Sequence, residues 1–350
     1  MPMPGLPSAV LERILRGALP PGSVFGRNAD LKPTIIEVPQ IGRVRVYLFT
    51  CTPDASESGR PEGEYKIQLI VSGQARGARA GLIFEDNVPT YLLGFCPDAN
   101  VFVAWESRHY TEFGYSRNVQ VRSELIELAR QVGWAIAEPR RLRQAGAPEV
   151  RVAVRPEFLP TFMTAQIGAD EAGLSGAQRQ LFVARWLEAP QAFGANEARV
   201  NAAPAEAIEE VRRRCMAARI LRDPNFAPGV KAEYGYACAI CRQQLGVVHA
   251  AHIVPAAAVG AQDIPSNGIA LCPNHHSLFD AALFSVSTEL EILVDRDRLQ
   301  YLLEERLGEG ADALTAIDGS PMTHPRSWTD PEFRAAMTEA LLWRRRLAGL

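Results

Sequence analysis

The sequence predicts an α+β protein with a β-rich α+β domain first, a helical segment next and a smaller α+β domain last. Three observations indicate this: short runs of β-branched and aromatic residues in the first third, helical periodicity in the middle, and a cluster of cysteine and histidine after it. A chain of 350 residues that is 47% apolar can bury two cores. We expect the domains at 1–165 and 205–350, joined by a helical segment and linker at 166–204.

The first domain is predicted from its strand signals. Gly, Pro, Asn and Asp separate short runs that are rich in Val, Ile, Tyr and Phe, as in strands joined by turns. The predicted strands are 34–38, 44–50, 65–71, 81–84, 91–95, 101–105 and 150–154, with a helix at 123–132.

The middle and the end of the chain are predicted to be helical. Ser175 followed by Gln178 forms a capping box that opens one helix. Residues 189–203 are rich in Ala, Pro, Gly and Asn, which is typical of a linker. Pro204 suits the first turn of the next helix, and a last helix is expected over 331–346.

Composition excludes several classes of protein. No apolar run approaches the roughly 20 residues of a membrane span, and the first residues do not resemble a signal peptide, so we expect a cytoplasmic protein. The formal net charge is −3. Any contact with nucleic acid must therefore depend on local basic surface.

Cysteine and histidine mark a metal site. A CxxC pair and a CxxH pair lie about 30 residues apart, and each two-residue spacer can turn both ligands toward one tetrahedral ion. The four ligands leave no open position, so we expect a structural Zn²⁺. The predicted zinc ligands are Cys238, Cys241, Cys272 and His275. Three other cysteines lie in apolar surroundings and are predicted to be buried free thiols: Cys51, Cys96 and Cys215.

A second group of polar residues lies between and after the zinc ligands. His252 ends a predicted strand, Asn267 opens another, and His276 lies in the first turn of a helix predicted to start near Pro273. His276 and Asp280 are four residues apart, so they share a helix face and can bind one cation.

This order of residues resembles the HNH nuclease family, whose fold is called ββα-metal. The resemblance covers roughly 205–330 and is most similar to the subgroup at the C-terminus of restriction endonucleases. The segments that carry it are RDPNF at 222–226, YGYAC at 234–238, AAHIVP at 250–255, NG at 267–268, LCPNHH at 271–276 and LFD at 278–280.

The resemblance implies a role for each residue. His252 would be the general base, since an imidazole can take a proton from water at neutral pH. Asn267 would fix the loop and orient His252. His276, with Asp280, would hold one Mg²⁺ or Mn²⁺ at the scissile phosphate. The product would be a broken phosphodiester with a 5′ phosphate.

One position departs from the family. Many members have Asp or His immediately before the base histidine, as a further metal ligand, and here that residue is Ala251. His249 shares a strand face with position 251. It could replace the missing ligand only if the backbone bends; otherwise it is an ordinary strand histidine.

Candidate DNA contacts are aromatic and arginine residues. Such residues can stack an extruded base and hold its phosphates, but the aromatic stretch could equally be core, and the arginines of the later helix could be a solvated face. The candidates are Trp105, Arg108, Tyr110, Tyr115, Arg117, Arg212 and Arg213.

Three functions follow from these observations. The favoured one is a restriction endonuclease whose first domain recognises a sequence or a modified base in double-stranded DNA. It would act as a homodimer, because cutting both strands needs two sites. The alternatives are a defence nuclease that a small molecule or partner activates, and a zinc-stabilised DNA-binding protein without catalysis.

Overall fold

The computed structural model divides the chain into two compact units, residues 1–217 and 218–350. The residues that the structure describes are 5–26, 32–53, 63–140, 148–188, 225–255, 258, 261–304 and 307–348. The predicted linker at 189–203 and the helix predicted from Pro204 lie outside them. The domain boundaries at 165 and 204 therefore stay predictions.

The first unit is built on a mixed seven-stranded sheet. The described strands of this unit are β1 Val24–Phe25, β2 Thr34–Val38, β3 Gly42–Thr50, β4 Thr52–Pro53, β5 Glu64–Leu69, β6 Arg79–Ala80, β7 Thr90–Cys96, β8 Val101–Trp105, β9 Phe113–Gly114, β10 Arg117–Arg122, β11 Trp134–Ile136 and β12 Val152–Val154. The large sheet has the order β1-β2-β3-β7-β8-β12-β11, in which β3 and β7 are parallel and the other neighbours antiparallel. Smaller sheets are β10-β5-β4 and β6-β9.

The core of this unit lies where the seven-stranded sheet meets β5, β10 and the helix that follows. Tyr47, Ile67, Trp105 and Val121 are among the residues buried there. Gly94 allows the close approach, because a Cβ at this position would lie 2.7 Å from Ile67 Cγ2. This core is therefore made by residues that alternate along each strand and point to the same face of the sheet.

In its described residues, four α-helices complete the first unit: α1 Ser8–Ala18, α2 Ser123–Val132, α3 Leu159–Glu171 and α4 Gly176–Glu188. The Tyr91 hydroxyl donates to the Met163 carbonyl at 2.8 Å, which ties β7 to α3. Gln180 donates to the carbonyl of Ala137 at 3.2 Å. Helices α3 and α4 are thus hydrogen-bonded to the sheet and to the segment that follows β11.

The predicted α+β class is confirmed, and most strand predictions overlap observed strands. The strand predicted at 81–84 is wrong. There the N–H of Leu82 donates to the Tyr110 carbonyl, and that of Ile83 donates to the Tyr47 hydroxyl. The backbone bonds therefore go to a loop and a side chain instead of a strand ladder. Cys51 and Cys96 are buried free thiols, as predicted, and Cys215 lies outside the described residues.

The described part of the second unit contains two antiparallel strand pairs, several short helices and one helix of 18 residues. Its described elements are α5 Phe226–Glu233, β13 His249–His252, β14 Gly268–Leu271, α6 Pro273–Asp280, β15 Phe284–Val286, β16 Ile292–Val294, α7 Arg296–Glu304, α8 Ala311–Thr315 and α9 Pro331–Ala348. β13 pairs with β14 and β15 with β16, both antiparallel. The hairpin β13-β14 followed by α6 gives the ββα order that the resemblance implies.

The helix α9 supports α6 from behind. The buried guanidinium of Arg344 lies over the Phe279 ring, 4.3 Å from its centroid, and donates to the Phe279 carbonyl. Because Phe279 belongs to α6, this contact holds the helix that carries the candidate ligands. Among the described helices, none is long and apolar enough to cross a membrane.

Candidate active site and metal centre

Four side chains meet in one cluster near the start of α6. The ligand atoms of Cys238, Cys241, Cys272 and His275 all lie within 4.8 Å of one another. His275 Nδ1 is 3.4 Å from Cys238 Sγ and 3.3 Å from Cys272 Sγ. A tetrahedral zinc with bonds of about 2.3 Å to sulfur and 2.0–2.1 Å to nitrogen needs ligand separations of roughly 3.5–3.8 Å. The donor set and its spacing therefore fit one zinc-sized ion.

Local backbone contacts position this cluster. The N–H of Arg242 donates to the Cys238 carbonyl at 3.0 Å, which closes the knuckle between the first two cysteines. The N–H of Ala239 donates to the Ala270 carbonyl at 2.7 Å, so the knuckle is attached to β14. Cys272 follows β14 directly, and Pro273 starts α6. The two pairs of ligands thus come together through β14.

The pKa values of the knuckle cysteines differ. Burial opposes ionisation of Cys238, but hydrogen bonds from His275 and from backbone groups lower its pKa to about 6. Burial, with the neighbouring Cys238 and Cys272 sulfurs, raises the pKa of Cys241 to about 11. The Cys238 thiolate is thus favoured at neutral pH, and binding of an ion would release the thiol proton of Cys241.

Asn267 closes the loop between β13 and β14. Its Oδ1 accepts from the N–H of Val254 at 2.8 Å, and its Nδ2 donates to the carbonyls of Val254 at 3.0 Å and Gln262 at 2.9 Å. The Asn267 side chain therefore joins the two sides of the loop. One of its partners, Val254, follows His252 by two residues. Asn267 is only 5% exposed, so these bonds are shielded from water.

His252 is held on two sides. Its Nε2 lies 2.8 Å from Asp263 Oδ1, and its ring stacks on Phe226 with centroids 3.8 Å apart and an angle of 14° between the planes. Opposite His252 on β14 is Gly268, where a Cβ would lie 2.3 Å from Val230 Cγ2. Helix α5 therefore packs closely over the face of the hairpin that carries His252.

His276 and Asp280 come together on α6, as their spacing predicts. His276 Nε2 lies 3.4 Å from Asp280 Oδ2, with side chains 26% and 41% exposed. Ala251 is fully buried on the hairpin. The exposed His249 places its ring edge-on to that of His276, with centroids 5.7 Å apart. The histidine two residues before Ala251 thus reaches the open side of α6.

The two ligand sets differ in how tightly they are closed. Within the described part of the chain, the Cys3His cluster is the only group of three or more His, Cys, Asp or Glu side chains with all ligand atoms within 4.8 Å. The set of His249, His276 and Asp280 is looser. Its members are half-buried or exposed, so solvent can reach them.

The predicted DNA contacts of the first unit fall into two groups. Trp105 and Tyr110 are buried, at 2% and 1% exposure, and the Tyr110 hydroxyl donates to Glu149 at 2.7 Å. Their rings serve the core, because β8 and the loop after it cross the centre of the unit. Tyr115 is 37% exposed, and the Arg117 guanidinium lies 5.4 Å from the Tyr110 centroid.

Arg108 takes part in a buried ionic network. Its guanidinium lies 2.5 Å from Glu106, whose side chain is 1% exposed. Burial would raise the pKa of Glu106, but its contact with His109 and the charges of Arg179 and Arg108 lower it instead. Arg212 and Arg213 lie outside the described residues.

This network borders an open cavity of about 590 Å³ in the first unit. The cavity lining includes charged and amide side chains together with aromatic ones. Among them are Glu106, Arg108, Gln166, Arg179, Trp105 and Phe162.

Two side chains around His252 were not predicted as site residues. Phe226 belongs to one of the segments that carry the family resemblance, so its position carried a signal. Asp263 gave none, because it meets His252 only after the loop folds back.

Comparison with known proteins gives two family matches. Residues 238–287 match the family model described as HNH endonuclease, and residues 42–163 match the one described as Methylase-associated X1, MTaX1. The predicted resemblance is confirmed: the second unit carries an HNH endonuclease domain, and the chain is a nuclease.

A search of curated proteins finds no match. Among solved structures, the chain is similar to one described as a modification-dependent TagI restriction endonuclease, with 14% identity and a TM-score of 0.24. The similarity covers 86% of this chain and 82% of that one.

Proposed function

We propose that this chain is a DNA endonuclease of restriction type, whose second unit hydrolyses phosphodiester bonds and whose first unit selects the DNA. One observation carries the proposal. The hairpin β13-β14 holds His252 in a defined orientation, and the helix directly after it presents His276 and Asp280 3.4 Å apart. This is the chemistry that phosphodiester hydrolysis needs: a proton acceptor for water, and ligands for a cation at the phosphate.

The residues take separate roles in the proposed reaction. His252 accepts a proton from a water molecule, whose oxygen attacks phosphorus while the bond to the 3′ oxygen breaks. Asn267 keeps the loop closed so that His252 stays in place. His276 and Asp280 would hold Mg²⁺ or Mn²⁺, which supplies charge neutralisation at the phosphate and the leaving oxygen. The product carries a 5′ phosphate.

We propose that His249 completes the cation site. Ala251 has no donor atom, whereas the His249 ring lies 5.7 Å from the His276 ring and is exposed. The expected backbone bend is not needed for this approach, because His249 pairs regularly with Leu271 and its ring still lies beside that of His276. Rotation of an exposed side chain costs little, so its nitrogen can turn toward a bound ion. The Cys3His cluster is proposed to hold a structural Zn²⁺, because four protein ligands leave no position for substrate.

The first unit is proposed to read the DNA. Modified bases are the proposed target, because the matched family is described as methylase-associated. The cavity of about 590 Å³ lies within the usual range for small-ligand sites and is large enough to be examined as a site for an extruded base. Such a role would place the protein in defence against foreign DNA. Cutting both strands would require two nuclease sites, so we expect a homodimer.

The same cavity supports a second candidate function. A small molecule bound there would activate the nuclease, and the purified protein alone would then cut no DNA. The two functions differ in whether cleavage needs an added activator.

Cleavage of defined DNAs tests the proposal. Unmodified, methylated and hydroxymethylated double-stranded DNAs are incubated with Mg²⁺ or Mn²⁺ and with wild type, His252→Ala or His324→Ala. We expect discrete fragments from one class of DNA. His252→Ala should lower the rate by about 10²- to 10⁴-fold, the usual contribution of a general base. His324→Ala, which removes an exposed histidine outside both ligand sets, should cut as wild type does. Equal cutting by His252→Ala would contradict the assignment.

A further inference from the structure

We propose that Asp263 is a positioning residue that sets the tautomer and the ring orientation of His252. This inference rests on the proposed function, in which His252 accepts the proton of the attacking water. Asp263 Oδ1 lies 2.8 Å from His252 Nε2, and the two side chains are 25% and 9% exposed. A charge-assisted hydrogen bond that is largely shielded from water is strong enough to fix an imidazole.

The chemistry of the pair decides which nitrogen is the base. An ionised carboxylate only accepts hydrogen bonds, so Nε2 must carry the proton that it donates to Asp263. In a neutral imidazole the other nitrogen, Nδ1, then carries no proton and has a basic lone pair. Asp263 therefore assigns proton acceptance to Nδ1 of His252.

The loop that contains Asp263 is placed by Asn267. The Asn267 amide donates to the carbonyls of Val254 and Gln262, which bracket the loop. Gln262 directly precedes Asp263, and Val254 follows His252 by two residues. Closing the loop thus brings the carboxylate opposite the imidazole. Asn267 acts on His252 in part through Asp263.

Phe226 removes the remaining freedom of the ring. It stacks on the His252 ring with an angle of 14° between the planes and is itself 4% exposed. The stack defines the plane of the imidazole, while the Asp263 bond defines which edge points inward. The stack and the hydrogen bond together fix the direction in which Nδ1 can accept a proton from water.

The proton balance of the step follows from this arrangement. The water oxygen forms the new bond to phosphorus, its proton passes to Nδ1, and the bond from phosphorus to the 3′ oxygen breaks. The leaving oxygen takes a proton from solvent. During the step Nε2–H remains bonded to Asp263, whose negative charge stabilises the imidazolium that forms.

Nitrogen NMR and kinetics test the proposal in the full-length protein. Histidine labelled with ¹⁵N in both ring positions reports which nitrogen carries the proton, and the resonances of His252 are assigned by their loss in His252→Ala. The variants are Asp263→Ala, Asp263→Asn and, as a matched control, Asp312→Ala, which removes an exposed aspartate on α8. Spectra are recorded at a pH where imidazoles are neutral, and cleavage is measured at saturating Mn²⁺.

We expect wild type and Asp312→Ala to show the Nε2–H tautomer at His252. Asp263→Ala should populate both tautomers and lower kcat by about 10- to 100-fold, as loss of a histidine's hydrogen-bond partner does at other sites, with KM changed by less than about twofold. Asp263→Asn keeps an acceptor oxygen and should retain the tautomer and much of the activity.

Two results would overturn the proposal. One is an Asp263→Ala protein with the wild-type nitrogen spectrum and kcat. The other is an Asp263→Ala protein whose defect is only weaker Mn²⁺ binding, since Asp263 would then be a metal ligand. A wild-type protein that cuts no DNA would count against the proposed function alone, because the nitrogen spectra still show whether Asp263 sets the tautomer.

Discussion

His275 and His276 are neighbours in the first turn of α6, yet they belong to two different sets of side chains. His275 lies 3.3 Å from Cys272 and 3.4 Å from Cys238, in a cluster with four protein ligands. His276 turns to Asp280 and the His249 ring on a half-open surface. Because successive helix residues point about 100° apart, one short helix serves both sets.

The difference shows how one short segment can combine a closed cluster of side chains with a solvent-accessible one. A closed set of four ligands leaves an ion no position for substrate and can only stabilise the fold. An open set leaves positions for water and phosphate. The closed cluster anchors the helix that displays the open set, so the precision of the second depends on the first.

Removing each of the two neighbouring histidines in turn gives the largest expected effects. His275→Ala should lose bound zinc and destabilise the second unit strongly, because a structural zinc contributes about 10–16 kcal/mol to binding-coupled folding in zinc-finger peptides. His276→Ala should keep its zinc and its thermal unfolding transition but lose about 10³-fold or more in cleavage rate. Metal analysis, thermal unfolding and cleavage assays on both variants separate the two roles.

A control for this pair is Cys96→Ala, which removes a buried thiol outside the cluster and should leave the zinc content at one ion per chain. Normal zinc content in His275→Ala would show that the cluster does not need this ligand.

The open set can be tested at His249. If His249 completes the cation site, His249→Ala should weaken Mn²⁺ binding, because the ion loses one of its ligands. We expect the Kd to rise by about tenfold, which corresponds to about 1.4 kcal/mol. Zinc content should not change, since His249 is not among the four clustered ligands. Titration followed by Mn²⁺ paramagnetic resonance measures the affinity without relying on activity, and His324→Ala is the matched control. Unchanged Mn²⁺ affinity would reduce His249 to an ordinary strand histidine.

The smallest effect is expected at Phe226. Phe226→Leu keeps an apolar side chain against Gly268 but removes the ring that stacks on His252. We expect a several-fold lower kcat, unchanged zinc content and a loss of unfolding free energy of about 1–1.5 kcal/mol, as for similar core exchanges. Chemical denaturation and steady-state cleavage measure these. A kcat equal to wild type would show that the stack does not align the base.

The first unit illustrates how far local patterns predict a fold. Strands at 34–38 and 101–105 and the helix at 123–132 were predicted with the bounds that the structure has. The aromatic stretch that begins at the end of β8 was ambiguous, because a Tyr or Trp looks the same in sequence whether it faces a core or a ligand. Burial of Trp105 and Tyr110 was decided by the strands that pack around them.

In the second unit, the sequence alone determined the features that depend on short spacing. Two-residue spacers define the ligand pairs that meet in the Cys3His cluster, and a spacing of four places His276 and Asp280 on one face of α6. Such geometry is set within a single turn or knuckle, so it can be read without knowing the rest of the fold.

Only the tertiary structure decided the contacts made through loops and across the hairpin. Asp263 meets His252 across 11 residues of chain because Asn267 closes the loop between them. Likewise, His249 reaches His276 because β14 leads directly into α6 beside β13. No periodicity encodes these distances, since each depends on how separate segments pack, and these contacts orient the candidate base and surround the candidate cation site.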